Sequence, residues 1–275
     1  MTNENKNLPY RLVAVDLDDT LLNGQLQISP RTKAAIHKAR EAGVVVTIAT
    51  GRMYRSAVPY AQELGLDLPL ITYQGALIKS ALTGETILHQ PVPAQLAQQV
   101  LDIARAQGLH INFYLNDRLY MEEWSDAGQD YARLARVQPD IVPDLSQLLP
   151  ENPTKVLMIG NPEELNQLQF KLKAFFGQEL HITKSKPQYL EFIHPHASKG
   201  AAITHLAKLL NIQLNQVIAM GDSFNDVEML QVAGCAVVMG NAQEEIKGYA
   251  DLVTASNESD GVALALEKLI FHREG

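Results

Sequence analysis

Apolar residues along this chain fall into two rhythms. Short unbroken runs, rich in valine, isoleucine and alanine, occupy Leu12–Asp16, Val44–Ala49, Gln216–Met220 and Cys235–Met239. Runs of this kind read as strands buried on both faces, as in a parallel sheet between helical layers. Between them, apolar positions recur three and four apart. This spacing predicts helices over Pro30–Glu41, begun by Ser29 as N-cap and closed at Gly43, and over Ser56–Leu64, Lys199–Leu210 and Asn225–Ala233. A short helix is expected at Gln243–Lys247 and an amphipathic one at Val262–Phe271, with short strands at Leu70–Tyr73 and Leu252–Val253.

The middle of the chain has a different texture. A hairpin-like pair, Ala76–Lys79 and Thr86–His89, leads to a helix over Pro93–Gln107 and strands near Ile111–Leu115, Lys155–Ile159 and Leu190–Ile193. Leu165, Leu168, Leu172 and Phe175 stand at helical spacing within Glu163–Phe175. Arg136–Pro153 carries three prolines and reads as an irregular connection. The expectation is an α/β core of residues 1–83 and 194–275, interrupted by an α+β domain over 84–193.

Composition narrows the class. The 275 residues, 46% hydrophobic and 20% charged, suffice for a substantial globular core. A net charge of −8 argues against nucleic acid as the partner, although a local cation could still draw an anionic substrate into one cleft. The single cysteine, Cys235, lies in a strand-like run and reads as a core residue, and no disulfide can form within the chain. Met1–Pro9 is polar, without the apolar stretch of a signal peptide, and no run is long enough to span a bilayer. A cytoplasmic protein without membrane contact, monomeric or weakly dimeric, is expected.

The candidate chemistry sits where predicted core strands end. The first strand runs into Asp16-Leu17-Asp18-Asp19-Thr20. In open α/β sheets ligands bind beyond the carboxyl ends of the strands. Carboxylates gathered there raise one another's pKa unless a cation is present, and the natural cation for an oxygen site that also takes a phosphate is Mg²⁺. The alternative is a plain turn and helix cap. Three further clusters follow predicted strands or open a helix: Ala49-Thr50-Gly51-Arg52, Ser198-Lys199-Gly200, and Gly221-Asp222-Ser223-Phe224-Asn225-Asp226. Each alone could be an ordinary strand-to-helix turn, a solvated lysine or an N-cap.

Taken in order, the four clusters resemble the motifs of the haloacid dehalogenase superfamily, and the insert between the second and third resembles the Cof-like sugar-phosphatase subfamily with its large α/β cap. The resemblance implies a Rossmann-like core and a Mg²⁺-dependent phosphatase acting on small phosphorylated metabolites, sugar phosphates above all, through an aspartyl-phosphate. It makes Asp16 the nucleophile and Asp18 the general acid and base. Asp16, Asp222 and the main-chain carbonyl of Asp18 would hold the metal. Thr50, Gly51, Lys199 and Asn225 would bind the phosphoryl oxygens, with Asp226 orienting them from behind. Arg52 and Arg55 are candidates for the leaving group, as are residues within Tyr114–Glu123 and Lys184–Glu191. His194 and His196 are read as loop residues rather than a zinc pair. Gln74 stands where the family commonly has asparagine. A phosphomutase and a non-catalytic sensor of phosphorylated metabolites are the rival functions.

Overall fold

The computed structural model describes residues 9–271; the polar N-terminal stretch discussed above falls largely outside them. Five strands form a wholly parallel sheet: β1 (Leu12–Val15), β2 (Val45–Ile48), β12 (Val217–Gly221), β13 (Cys235–Val238) and β14 (Leu252–Val253), in the order β14-β13-β12-β1-β2. The unbroken apolar character of β1 has a direct cause. Val13 and Val15 pack into one cluster, with Ile36 and Ala39 of helix α1 (Pro30–Glu41) and Ala57 of α2 (Tyr54–Glu63), while Leu12 and Ala14 pack into another with Ile203 and Leu206 of α6 (Lys199–Leu209). Both faces are covered, so no alternation is left.

This order makes β1 a switch point. Its neighbour on one side, β2, follows it in the chain, whereas β12 on the other side arrives some two hundred residues later. The strand ends on either side of such a point diverge and leave a crevice. Asp16, just past β1, continues the ladder by donating its backbone N–H to the Met220 carbonyl at 2.9 Å. The chain then turns sharply through Asp19, whose φ is 59°.

A second, three-stranded antiparallel sheet comprises β3 (Pro69–Thr72), β4 (Leu77–Ser80) and β5 (Thr86–His89), and a parallel bridge from Ala49 to Ile71 ties it to the end of β2. Ile87 and Leu88 pack against the core cluster beneath α6, so 86–89, assigned to the insert on sequence grounds, associate with the parallel sheet. Val92 is the first residue to join the insert's own cluster.

The insert is built on a six-stranded sheet of order β10-β11-β9-β6-β7-β8. Its strands are β6 (His110–Leu115), β7 (Arg118–Met121), β8 (Asp140–Ile141), β9 (Lys155–Ile159), β10 (His181–Lys186) and β11 (Tyr189–Ile193). Helices α3 (Ala94–Gln107) and α5 (Pro162–Phe176) cover one face, meeting Phe113, Val156 and Phe192. The alternate residues Tyr114, Leu157, Tyr189 and Ile193 form the other face and pack with Met53, Tyr73 and Ala76 of the core. That shared cluster seats the insert over the carboxyl edge of the parallel sheet. Sequence rhythm missed β7, β10 and the helix α4 (Asp126–Ala135). The first is four residues long, β10 carries Lys184, Ser185 and Lys186 in its second half, and only Gly128 and Ala132 of α4 are buried.

Gly75 shows how closely the loops at this edge are fitted. Its φ is +98°, and a Cβ there would lie 2.2 Å from the Ser198 carbonyl oxygen. Gly75→Ala is expected to cost at least about 2 kcal/mol through backbone strain and this collision. Urea unfolding checks it, and a midpoint unchanged from wild type would refute it.

Candidate active site

The four motif loops converge on a single cleft. Asp16, Asp18, Thr50, Gly51, Arg52, Asp222 and Asn225 line it, with Lys199 and Asp226 wholly buried beneath. Lys199 is the first residue of α6, oriented by Ser198, whose side chain accepts from the Ala201 N–H at 3.1 Å. Its ammonium donates to Asp16 at 2.5 Å and to Asp226 at 2.6 Å. Burial alone would lower the pKa of Lys199, but the two carboxylates outweigh it and hold the ammonium charged. Burial also pushes Asp16 well above the usual carboxylate range, opposed by Lys199 and reinforced by Asp226 and Asp222. The other oxygen of Asp226 accepts the backbone N–H groups of Asp222 and Ser223, at 3.0 and 3.1 Å. Asp226 therefore fixes both the lysine and the loop that carries Asp222.

Asp18 faces a different partner. Arg52 grips it in a fork, Nε to Oδ2 at 2.8 Å and Nη2 to Oδ1 at 2.6 Å. Burial would raise this carboxyl, yet the fork prevails and holds it below its ordinary value. Arg52 is 9% exposed and stacks near the Tyr60 ring, so the guanidinium is anchored as well. Thr50 Oγ1 accepts from the Arg52 N–H at 3.1 Å, which leaves its own hydroxyl proton to donate. Asn225 donates its side-chain amide to Gln74 at 2.9 Å, and Ser223 donates to Asn225 Oδ1.

The remaining sequence candidates divide. Arg55 lies outside the cleft, half exposed and 3.8 Å from Asp117. His194 and His196 lie near one another, 5.5 Å between ring centroids, away from the cleft lining. No residue of Tyr114–Glu123 lines the cleft, whereas Ser185, Lys186, Tyr189 and Glu191 from the second range do. Sequence reasoning missed Tyr131, Leu134, Ala135 and Lys155 on the insert side. The first three belong to α4, which Ser125 announces as an N-cap accepting from the Gly128 N–H at 3.2 Å.

A model of the haloacid dehalogenase-like hydrolase family matches residues 13–266. The chain belongs to this family. It is similar to a 5-amino-6-(5-phospho-D-ribitylamino)uracil phosphatase of Bacillus subtilis, 30% identical over 264 residues that cover 94% of this chain and 97% of that one. An HMP-PP phosphatase of Serratia proteamaculans is 32% identical over 240 residues, 86% of each chain. Among solved structures, a haloacid dehalogenase-like hydrolase from Bacteroides thetaiotaomicron superposes with a TM-score of 0.86 at 28% identity, over 95% of this chain and all of the other. With these relatives the chain is a phosphoric monoester hydrolase.

Haloacid dehalogenase-like hydrolases generally use a divalent metal, and the donor set here suits one. Carboxylate oxygens of Asp16, Asp222 and Asp226 can all lie within 4.8 Å of one another. Asp222 accepts from Thr20 Oγ1 at 2.7 Å and is otherwise pressed by burial and by Asp226, which push its carboxyl up to about 7. One buried lysine is shared among several carboxylates, so an all-oxygen set short of positive charge remains, as a hard cation requires.

A carboxyl raised to about 7 holds a proton below that pH, and a cation must displace it. Affinity for a divalent metal should therefore weaken as pH falls from 8 to 6, with protons released on binding at pH 6 and few at pH 8. Titration calorimetry in two buffers of different ionisation enthalpy reads this directly, and a pH-independent affinity without proton release would contradict it.

Proposed function

We propose that this phosphoric monoester hydrolase is a Mg²⁺-dependent phosphatase of small phosphorylated metabolites, sugar phosphates first among them, working through an aspartyl-phosphate at Asp16. The observation that carries the reading is the pairing of Asp16 with a buried lysine 2.5 Å away, at a sheet edge where Asp18 and Asp222 also converge. The relatives named for a phosphoribitylamino-uracil and for HMP-PP differ in leaving group, which fits a common phosphoryl site under a variable insert.

An Asp16 oxygen attacks phosphorus while the ester P–O bond breaks, and Asp18 protonates the departing oxygen. Water then attacks phosphorus, Asp18 takes its proton, and inorganic phosphate leaves with Asp16 restored. Lys199 and Thr50 donate to the non-bridging oxygens, which carry the developing charge. Asp16, Asp222 and the Asp18 carbonyl would hold Mg²⁺, which supplies charge neutralisation for the phosphoryl group. The Arg52 fork keeps Asp18 ionised at rest, the form needed to accept a proton from water. An entering phosphoryl group places negative charge beside Asp18 and raises its proton affinity, as the first step needs.

Residues 90–193 are read as the cap. Tyr131, Leu134 and Tyr189 line the side of the cleft facing Asp16, where a leaving group would lie sheltered from water.

Phosphate release from a panel of esters, with Mg²⁺ and with EDTA, tests the proposal. Release should require the metal and fall at least about 10³-fold in Asp16→Asn. Release unaffected by EDTA or by that substitution would overturn it.

A further inference from the structure

Lys155 in β9 and Glu191 in β11 are charged residues only 1% and 2% exposed. They alternate in phase with Leu157 and Tyr189, on the face of the insert sheet that meets the core. Their charged groups are 3.2 Å apart. Desolvating such a pair costs several kcal/mol per ion, so a pair of apolar side chains would serve stability as well or better. The bonds these two groups make outside the pair point to another use.

Lys155 Nζ donates to the carbonyl of Gly51 at 2.8 Å and lies over the Tyr114 ring. Ser185 donates to Glu191 Oε1 at 2.8 Å. Gln74 Nε2 donates to Glu191 Oε2 at 2.7 Å, and Gln74 Oε1 accepts from Asn225 Nδ2 at 2.9 Å. A continuous polar chain thus runs from the insert sheet through one core side chain to the loop bearing Asp222, with a branch to the loop bearing Thr50. The Gln74 amide lies directly on Gly51: a Cβ there would be 2.4 Å from Gln74 Nε2. Gln74 has φ 58°, a backbone region more natural to asparagine. Asparagine is one methylene shorter and would leave one of the two bonds unmade, so the glutamine's reach accounts for its presence at a strained position.

We infer that Gln74, Glu191 and Lys155 form a closure relay, a set of positioning residues that aligns Thr50–Gly51 and Asn225 for phosphate only while the insert is seated on the core. The inference rests on the phosphatase reading above. Unseating the insert breaks the Lys155–Gly51 and Gln74–Glu191 bonds together, so both phosphate loops register the same event. The relay therefore couples enclosure of a substrate to completion of its binding site.

The test exchanges the acid and the amide. Gln74→Glu sets two carboxylates against each other, and Glu191→Gln leaves one donor or acceptor unmatched. The double variant restores every bond with no change in net charge. Its carboxylate, now at position 74, accepts from Asn225 and from the amide nitrogen now at position 191. The oxygen of that same amide accepts from Lys155 and Ser185. Three quantities are read: kcat and KM for p-nitrophenyl phosphate, and backbone hydrogen exchange at residues 50–52 and 223–225. Each single variant should lower kcat about 10- to 100-fold, KM less, and speed exchange in both loops. The double variant should return kcat to within about threefold of wild type and slow exchange again. Single variants with wild-type kcat and exchange would overturn the relay. So would a double variant no better than Gln74→Glu, or three variants that lose thermal stability with kcat per folded molecule unchanged. A wild type that releases no phosphate from any ester defeats the phosphatase reading instead, and the exchange pattern then decides the relay by itself.

Discussion

The arrangement depends on one buried ammonium. Asp16 directly follows β1, Asp226 lies in the helical turn Phe224–Asp226 beyond the adjacent strand β12, and both are nearly or wholly removed from solvent. Without Lys199 between them they would repel one another in a low-dielectric pocket, where an unpaired buried charge costs several kcal/mol. Much of the surrounding structure serves to place that ammonium. Ser198 caps the helix that begins with it, and the glycine at 75 lets the adjacent loop approach the Ser198 carbonyl. The same Asp226 that holds the lysine also collects two backbone N–H groups and so shapes the loop of Asp222. Charge balance, helix start and loop geometry are one solution to one problem.

A second layer of control comes from the insert. Its sheet packs Tyr114, Leu157 and Ile193 against the core. Further bonds cross the seam at its margin: Tyr73 donates to Asp117 at 2.8 Å and Ser56 to the Ala135 carbonyl at 2.6 Å. Asp18 and Asp16 illustrate how environment separates like residues. Two positions apart in sequence, one is held down by an arginine fork and the other pushed up by burial. Attack by Asp16 therefore depends on Lys199 to favour its ionised form, and protonation of a leaving oxygen by Asp18 depends on the phosphoryl charge that enters beside it.

The core was legible because its signals are local. A strand buried on both faces must be apolar throughout, and the polar residues that follow it must lie at the sheet edge, so Asp16, Thr50 and Asp222 were placed by pattern alone. The insert was less legible. Its helix α4 has few buried positions, and β10 breaks its apolar run with Lys184, Ser185 and Lys186, so neither carries the rhythm that announces an element. Tyr131 and Leu134 went unnoticed with the helix that bears them. Lys155 read only as the start of a strand and Glu191 only as the last of a range of insert candidates, because their burial is produced by the seam between the two parts of the chain. The edge of the insert was blurred for a similar reason: 86–89 looks like any hairpin strand, and its partner cluster is set by tertiary packing. Gln74 stood out as a departure from the family, but its meaning required the distances to Glu191 and Asn225.

Rapid acid quench of the enzyme with a ³²P-labelled monoester tests the central claim most directly, that the Lys199-paired carboxylate of Asp16 receives the phosphoryl group. The account predicts label on the protein within one turnover, released by hydroxylamine and mapped to the peptide containing Asp16. Inorganic phosphate formed at full rate with no labelled protein, or label on any other residue, would contradict it.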